Sequence, residues 1–198
     1  ADDLRARYDV QTYRLDLQVD PGQKKLSGTV GVSATVRHPT EIIELDLMAG
    51  RRVLAVNEVT LPIRPRSSLL GRALTFTHVG DRIQVTLPKQ LPAGADARLA
   101  ITYEYSPTGG RSGITFGQTP DGKPWITTSC QSLGAHSWWP QKGENEHPED
   151  KFAHLYMNVT VPSGLTAVCA GKLVGRSSKT GTETFHWEHN YPCENYAA

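Results

Sequence analysis

The sequence predicts an all-β protein, a two-layer antiparallel sandwich with very little helix. Apolar and polar residues alternate in short runs along most of the chain, the pattern of strands with one buried face. Turn signals return every roughly eight to twelve residues, the spacing of sandwich strands. No window of about a dozen residues keeps a 3.6-residue period, so nothing reads as an amphipathic helix.

The first element alternates Tyr13, Leu15, Leu17 and Val19 with polar residues. After "DPGQKKLSG" the alternation resumes at Leu26, Val30, Val32, Ala34 and Val36. The two runs form a hairpin about Asp20–Pro21–Gly22, because Pro presets φ and Gly accepts positive φ. Ile43, Leu45 and Leu47 give a third strand, and Val53 to Val59 a fourth that stops before Pro62 and Pro65. Leu74 and Phe76 pair with Ile83, Val85 and Leu87 about "HVGD". Leu99, Ile101, Tyr103 and Tyr105 form a strand closed by Ser106–Pro107. Further along, Leu155, Met157, Val159 and Val161 alternate, then Leu165, Ala167 and Cys169, then Phe185 and Trp187. The whole chain, 1–198, reads as one domain without repeat or linker. "NYPCENYAA" reads as the start of a further strand at Tyr196 to Ala198, as in a piece of something longer.

Charge narrows the partners. Lys and Arg total 21 against 20 Asp and Glu, a net charge of +1, and no basic block occurs, so nucleic acid and anionic membrane gain no electrostatic support. No apolar run approaches the roughly 18 residues that span a bilayer. Three cysteines, Cys130, Cys169 and Cys193, match neither a C-x-x-C metal pair nor a disulfide framework and read as free thiols with at most one disulfide.

One segment breaks the alternation: "TTSCQSLGAHSWWPQKGENEHPEDK", Thr127 to Lys151. Cys130, His136 and His147 lie there with the Trp138–Trp139–Pro140 triplet. Any helix is expected as a short turn near Gly134 to Trp138. Cys130 and His136 could be read as thiol and base, but the spacing fits no recognised arrangement, and a buried structural Cys is the stronger reading. No H-E-x-x-H zinc motif occurs. His186–Trp187–Glu188–His189 has the wrong spacing and a strand pattern that sends His189 to the face opposite His186 and Glu188. No G-x-S-x-G elbow is present. Asn158–Val159–Thr160 fits a glycosylation sequon but lies mid-strand. Trp125, Trp138 and Trp139 read as a sugar platform or as core anchors.

The order "CQSLGAHSWWP", "HPEDK" and "VTVPSGLTAVCAGKLV" resembles the N-terminal domain of the aminopeptidase N family of zinc metallopeptidases, gluzincins that include leukotriene hydrolase. "YDVQTYRLDLQVDPGQKKLSGTV" fits that family's first hairpin and "FHWEHNYPCENY" its late strands, so the resemblance covers nearly the whole chain. It implies a saddle-like β domain preceding a thermolysin-like catalytic domain with the H-E-x-x-H zinc site. This chain would hold no catalytic residue and no metal, and alone would be inactive as a peptidase. Zinc would be the parent's cofactor. The partners implied are the protein's own C-terminal catalytic domain and the N-terminus of a peptide substrate.

In the family a Gln or Glu after the Cys of a "Q-C-[QE]-A" segment reaches the substrate's free α-amine. Gln131 is the matching position, and an amide oxygen can accept an ammonium N–H. Ser129 and Ser132 flank it as the other candidate substrate-binding residues, with Ser129 standing where the family often has Gln. The family commonly has a cis peptide bond after this residue, which here would be Gln131–Ser132. "QKGENEHPEDK" lacks the family's Cys and is longer, implying a different path for Gln141–Lys151. The competing readings are a free-standing sandwich module, carbohydrate-binding through the tryptophans, and, least favoured, an autonomous hydrolase using Cys130 or a Ser.

Overall fold

A computed structural model describes residues 3–107, 112–131, 133–143 and 151–194. Ser132, His147 and Tyr196 to Ala198 lie outside the described residues, as does most of the Gln141–Lys151 loop.

A 3-10 turn (Leu4–Arg7), capped by the Asp3 carboxylate, leads into β1 (Tyr8–Asp20). The remaining strands are β2 (Lys25–Val36), β3 (Thr40–Asp46), β4 (Arg52–Glu58), β5 (Arg72–Ala73), β6 (Thr75–Val79), β7 (Arg82–Leu91), β8 (Asp96–Tyr105), β9 (Ile114–Gln118), β10 (Pro124–Thr128), β11 (His154–Pro162), β12 (Lys172–Lys179) and β13 (Thr182–His189). They form an eight-stranded sheet in the order β12-β13-β11-β1-β2-β8-β4-β5, a three-stranded sheet β3-β7-β6, and a hairpin β10-β9. The fold is all-β, as the alternation requires.

Period-two patterning decides which face of the large sheet is dry. Leu15 and Leu17 of β1, Val30 and Val32 of β2, and Ile101 and Tyr103 of β8 are buried. They join Ile43 and Leu45 of β3 and Ile83 and Val85 of β7 in one continuous core. The intervening residues carry the polar face: Thr29 and Thr102 share a hydrogen bond across β2 and β8 (3.0 Å), and Thr160 and Thr184 another across β11 and β13 (2.8 Å).

Three details depart from the sequence reading. The sheet is not wholly antiparallel, because β1 pairs β11 in parallel, Tyr13 opposite Leu155 and Leu17 opposite Val159. Alternation fixes a strand's dry face; it carries nothing about the direction of a partner far along the chain. In the β1–β2 turn, Lys24 takes the positive φ of 49°. The Asp20 carboxylate accepts from the Gln23 amide (3.0 Å) and Pro21 O accepts from Lys24 N, so the chain reverses about Gly22–Gln23 between the paired Asp20 and Lys25, and the positive φ falls on Lys24 instead of Gly22. Leu165, Ala167 and Cys169 do alternate, half-buried, with exposed Thr166 and Val168, but they join no sheet.

Candidate functional site

The site begins where β10 ends. The Ser129 amide donates to Gly113 O (2.8 Å), carrying the hairpin one residue further. The chain then turns: Cys130 O accepts from Leu133 N (3.3 Å) and Gly134 N (2.8 Å). Gly134, at φ 74°, opens a 3-10 turn over Ala135–Ser137, the short helical piece expected there. A positive φ at this point favours glycine, which has no Cβ to clash.

The turn is anchored from below. Cys130 is buried, and the Trp138 indole donates to its Sγ at 3.3 Å. The Trp138 carbonyl accepts from the Tyr103 hydroxyl (2.9 Å), and burial pushes that phenol's pKa up, keeping it a donor. Arg51 places Nε 2.9 Å from the Ser137 carbonyl and stacks its guanidinium 4.0 Å from the Tyr105 ring centroid. Burial lowers the Arg51 pKa, yet arginine keeps its charge at any working pH. Beyond Pro140, Gln141 pairs with Asp46 through both backbone groups, and the Lys142 amide donates to the Tyr13 hydroxyl (2.8 Å). The Lys142 ammonium reaches Tyr8 O at 2.8 Å. Asp46, wholly buried, is held by Arg82 (2.5 Å) and Arg5 (3.2 Å).

Against this frame the predicted residues separate. Gln131 is exposed, and its side chain makes no hydrogen bond to a described residue; Ser129 is exposed beside it. Ser132 lies outside the described residues, and with it the Gln131–Ser132 bond; among the described residues no peptide bond is cis. His136 is buried and its backbone carbonyl accepts from Met48 N, a structural position. Trp138 and Trp139 are 2% and 0% exposed, so a platform of three tryptophans is overturned; only Trp125, 60% exposed, faces solvent. Trp139 instead packs edge-on against Tyr13 at 5.0 Å, and Phe152 does the same from the other side.

None of the three cysteines forms a disulfide. Burial pushes the Cys169 pKa up to about 12 and raises that of Cys193, so neither is an activated nucleophile. Among the described residues no three His, Cys, Asp or Glu side chains converge as a metal site. The described residues therefore do not fit a zinc ion. A group that sequence reasoning missed is the cross-strand ladder Asp16, Asn158, His186 and Ser177 on the polar sheet face. Its signal was available only as alternate positions of four strands whose pairing the sequence does not give.

No family model matches the sequence. Solved structures do. An M1 zinc metallopeptidase from Deinococcus radiodurans aligns over 96% of this chain at 27% identity, with a TM-score of 0.75. The chain has the β-domain fold of the M1 zinc metallopeptidases. A mutant of the Deinococcus enzyme bound to a Tyr-Ser-Ala substrate matches equally well, 27% identical with a TM-score of 0.75. Yeast LTA4 hydrolase, at 17% identity over 91% of this chain and a TM-score of 0.67, shares the fold. The M1-type domain spans 40% of the Deinococcus chain and 27% of the yeast chain.

Proposed function

We propose that this M1-type β domain is the N-terminal domain of a zinc-dependent aminopeptidase, non-catalytic in the peptidase reaction. It packs on a thermolysin-like catalytic domain and offers Gln131 to the free α-amine of the peptide substrate. The observation that carries this reading is the contrast at one turn: Cys130 is buried under the Trp138 indole while Gln131, the next residue, is exposed and makes no side-chain hydrogen bond to a described residue. A side chain held by a fixed turn and left without a hydrogen-bond partner among the described residues is suited to a partner outside the domain. The amide oxygen accepts an ammonium N–H, and the cost of aiming it is met by the packed residues beneath it.

Zinc, on this reading, belongs to the catalytic domain, since the described residues provide no ligand set for it. The full-length parent should bind zinc and release N-terminal residues from chromogenic amino-acid amides, and the 198-residue chain should do neither. Zinc-dependent turnover by the purified short chain, or a parent whose onward sequence holds no H-E-x-x-H, would overturn the reading. A free-standing carbohydrate module is the weaker alternative, because two of its three tryptophans are buried.

A further inference from the structure

On the polar face of the large sheet, four residues of four adjacent strands form one hydrogen-bonded chain. The Asp16 carboxylate (β1) accepts from Asn158 Nδ2 (β11) at 2.6 Å and from Arg14 Nε at 2.9 Å. Asn158 Oδ1 lies 2.7 Å from His186 Nδ1 (β13), and His186 Nε2 lies 3.0 Å from Ser177 Oγ (β12).

The direction of the chain is fixed at its inner end. A carboxylate held by Arg14 can only accept, so the Asn158 amide nitrogen faces it and the amide oxygen faces His186. Nδ1 must then carry the imidazole proton, which leaves the Nε2 lone pair to accept from the Ser177 hydroxyl. This is the polarity that a serine nucleophile requires of its base and of the group orienting that base.

The surroundings fit the same chemistry. Burial, Arg66 and Arg14 lower the His186 pKa against the opposing pull of Asp16, which favours the neutral base. Gly175 pairs with His186 and has no side chain; a Cβ there would lie 3.8 Å from His186 Cδ2 and 4.0 Å from an Arg66 terminal nitrogen. The space above Gly175 is thus bordered by the base and by a guanidinium. Ser177, exposed, opens onto a groove of about 790 Å³ that Arg14, Arg66 and Asn158 also line.

We propose that Ser177 is an activated nucleophile, with His186 as its base and Arg66 as oxyanion stabiliser, competent for acyl transfer from carboxylic esters. Ser177 Oγ bonds to the ester carbonyl carbon as its proton passes to His186 Nε2, and the carbonyl oxygen becomes an oxyanion beside Arg66. Collapse breaks the bond to the leaving alcohol, which takes the proton from Nε2. Water then gives a proton to the same nitrogen as its oxygen bonds to the acyl carbon; the bond from that carbon to Ser177 Oγ breaks, the acid leaves, and Oγ takes the proton back from Nε2. Asn158 and Asp16 are positioning residues. This chemistry is separate from the peptidase reading and does not depend on it.

The probe is an alkyl fluorophosphonate: the Ser177 Oγ–P bond forms, P–F breaks, and fluoride leaves as the hydroxyl proton passes to His186. Mass mapping should find the adduct on Ser177, and the rate should rise with pH as His186 loses its proton and level off by neutrality. Ser177→Ala and His186→Gln should each lower labelling at least ~100-fold, with unchanged circular dichroism, and Asn158→Ala should move the pH midpoint. Absence of labelling in the unsubstituted protein overturns the proposal whatever the variants do. So does a labelled serine other than Ser177, or a rate that His186→Gln leaves unchanged.

Discussion

The Trp138 indole donates to the Cys130 thiol at 3.3 Å, one residue before the exposed Gln131. A buried aromatic therefore fixes the base of the turn that carries the proposed amine-binding side chain. Trp138→Ala removes both the packing and the hydrogen bond and should destabilise the domain by about 3–5 kcal/mol, read from urea denaturation. Trp138→Phe keeps most of the ring volume and should cost less. Equal losses for the two variants would show that the indole N–H, and not the packing, dominates.

Gly113 sits where no side chain fits. A Cβ there would overlap Ser137 Oγ and lie 2.9 Å from Trp138 Cδ1. Gly113→Ala should cost about 1–3 kcal/mol and, in the parent protein, lower peptidase activity by displacing the Gln131 turn. A variant as stable as the unsubstituted protein would mean that the Ser137–Trp138 segment yields without strain.

Cys169 should resist thiol reagents in the native state. Burial holds its pKa near 12, so the thiolate that reacts is scarce at neutral pH. Cys130 is buried too, and Cys193 is buried with a raised pKa. Titration with Ellman's reagent at pH 7 should be slow and should become complete on unfolding. Rapid modification of the folded protein would contradict these environments.

Stability should fall as the solution is acidified through the histidine range. The folded-state pKa of His186 is depressed, so the unfolded chain binds a proton first; the contribution is present above the unfolded value and lost as pH falls through the folded one. Melting temperature measured against pH should show this loss, and His186→Gln should flatten it. An identical profile in the variant would assign the loss to other groups.

The core strands were legible because each has one dry face, and alternation writes that face into the sequence: Leu15 and Leu17, Ile101 and Tyr103, Ile83 and Val85 are all buried as their spacing requires; β5, β9, β10 and β12, mostly exposed, carry no such pattern and were not read as strands. The parallel pairing of β1 with β11 was not legible, since it depends on partners distant in the chain. Within the irregular segment, residue types alone left Trp138 and Trp139 open between platform and core; burial under Tyr103 and Tyr13 decides it. Gln131 stood out through the resemblance alone. The Asp16–Asn158–His186–Ser177 chain was invisible for a different reason: its members are ordinary polar-face residues until four strands bring them into register.

If this domain lends Gln131 to substrate recognition in a longer aminopeptidase, Gln131→Ala in the full-length parent should weaken the binding of peptide N-termini. A hydrogen bond to a charged group contributes about 1.5–3 kcal/mol, which corresponds to a loss of roughly ten- to a hundredfold in kcat/KM for peptides with a free N-terminus. That loss is expected with zinc content and melting temperature unchanged. Unaltered kcat/KM in a zinc-loaded, folded variant would contradict it and leave Gln131 an ordinary turn residue.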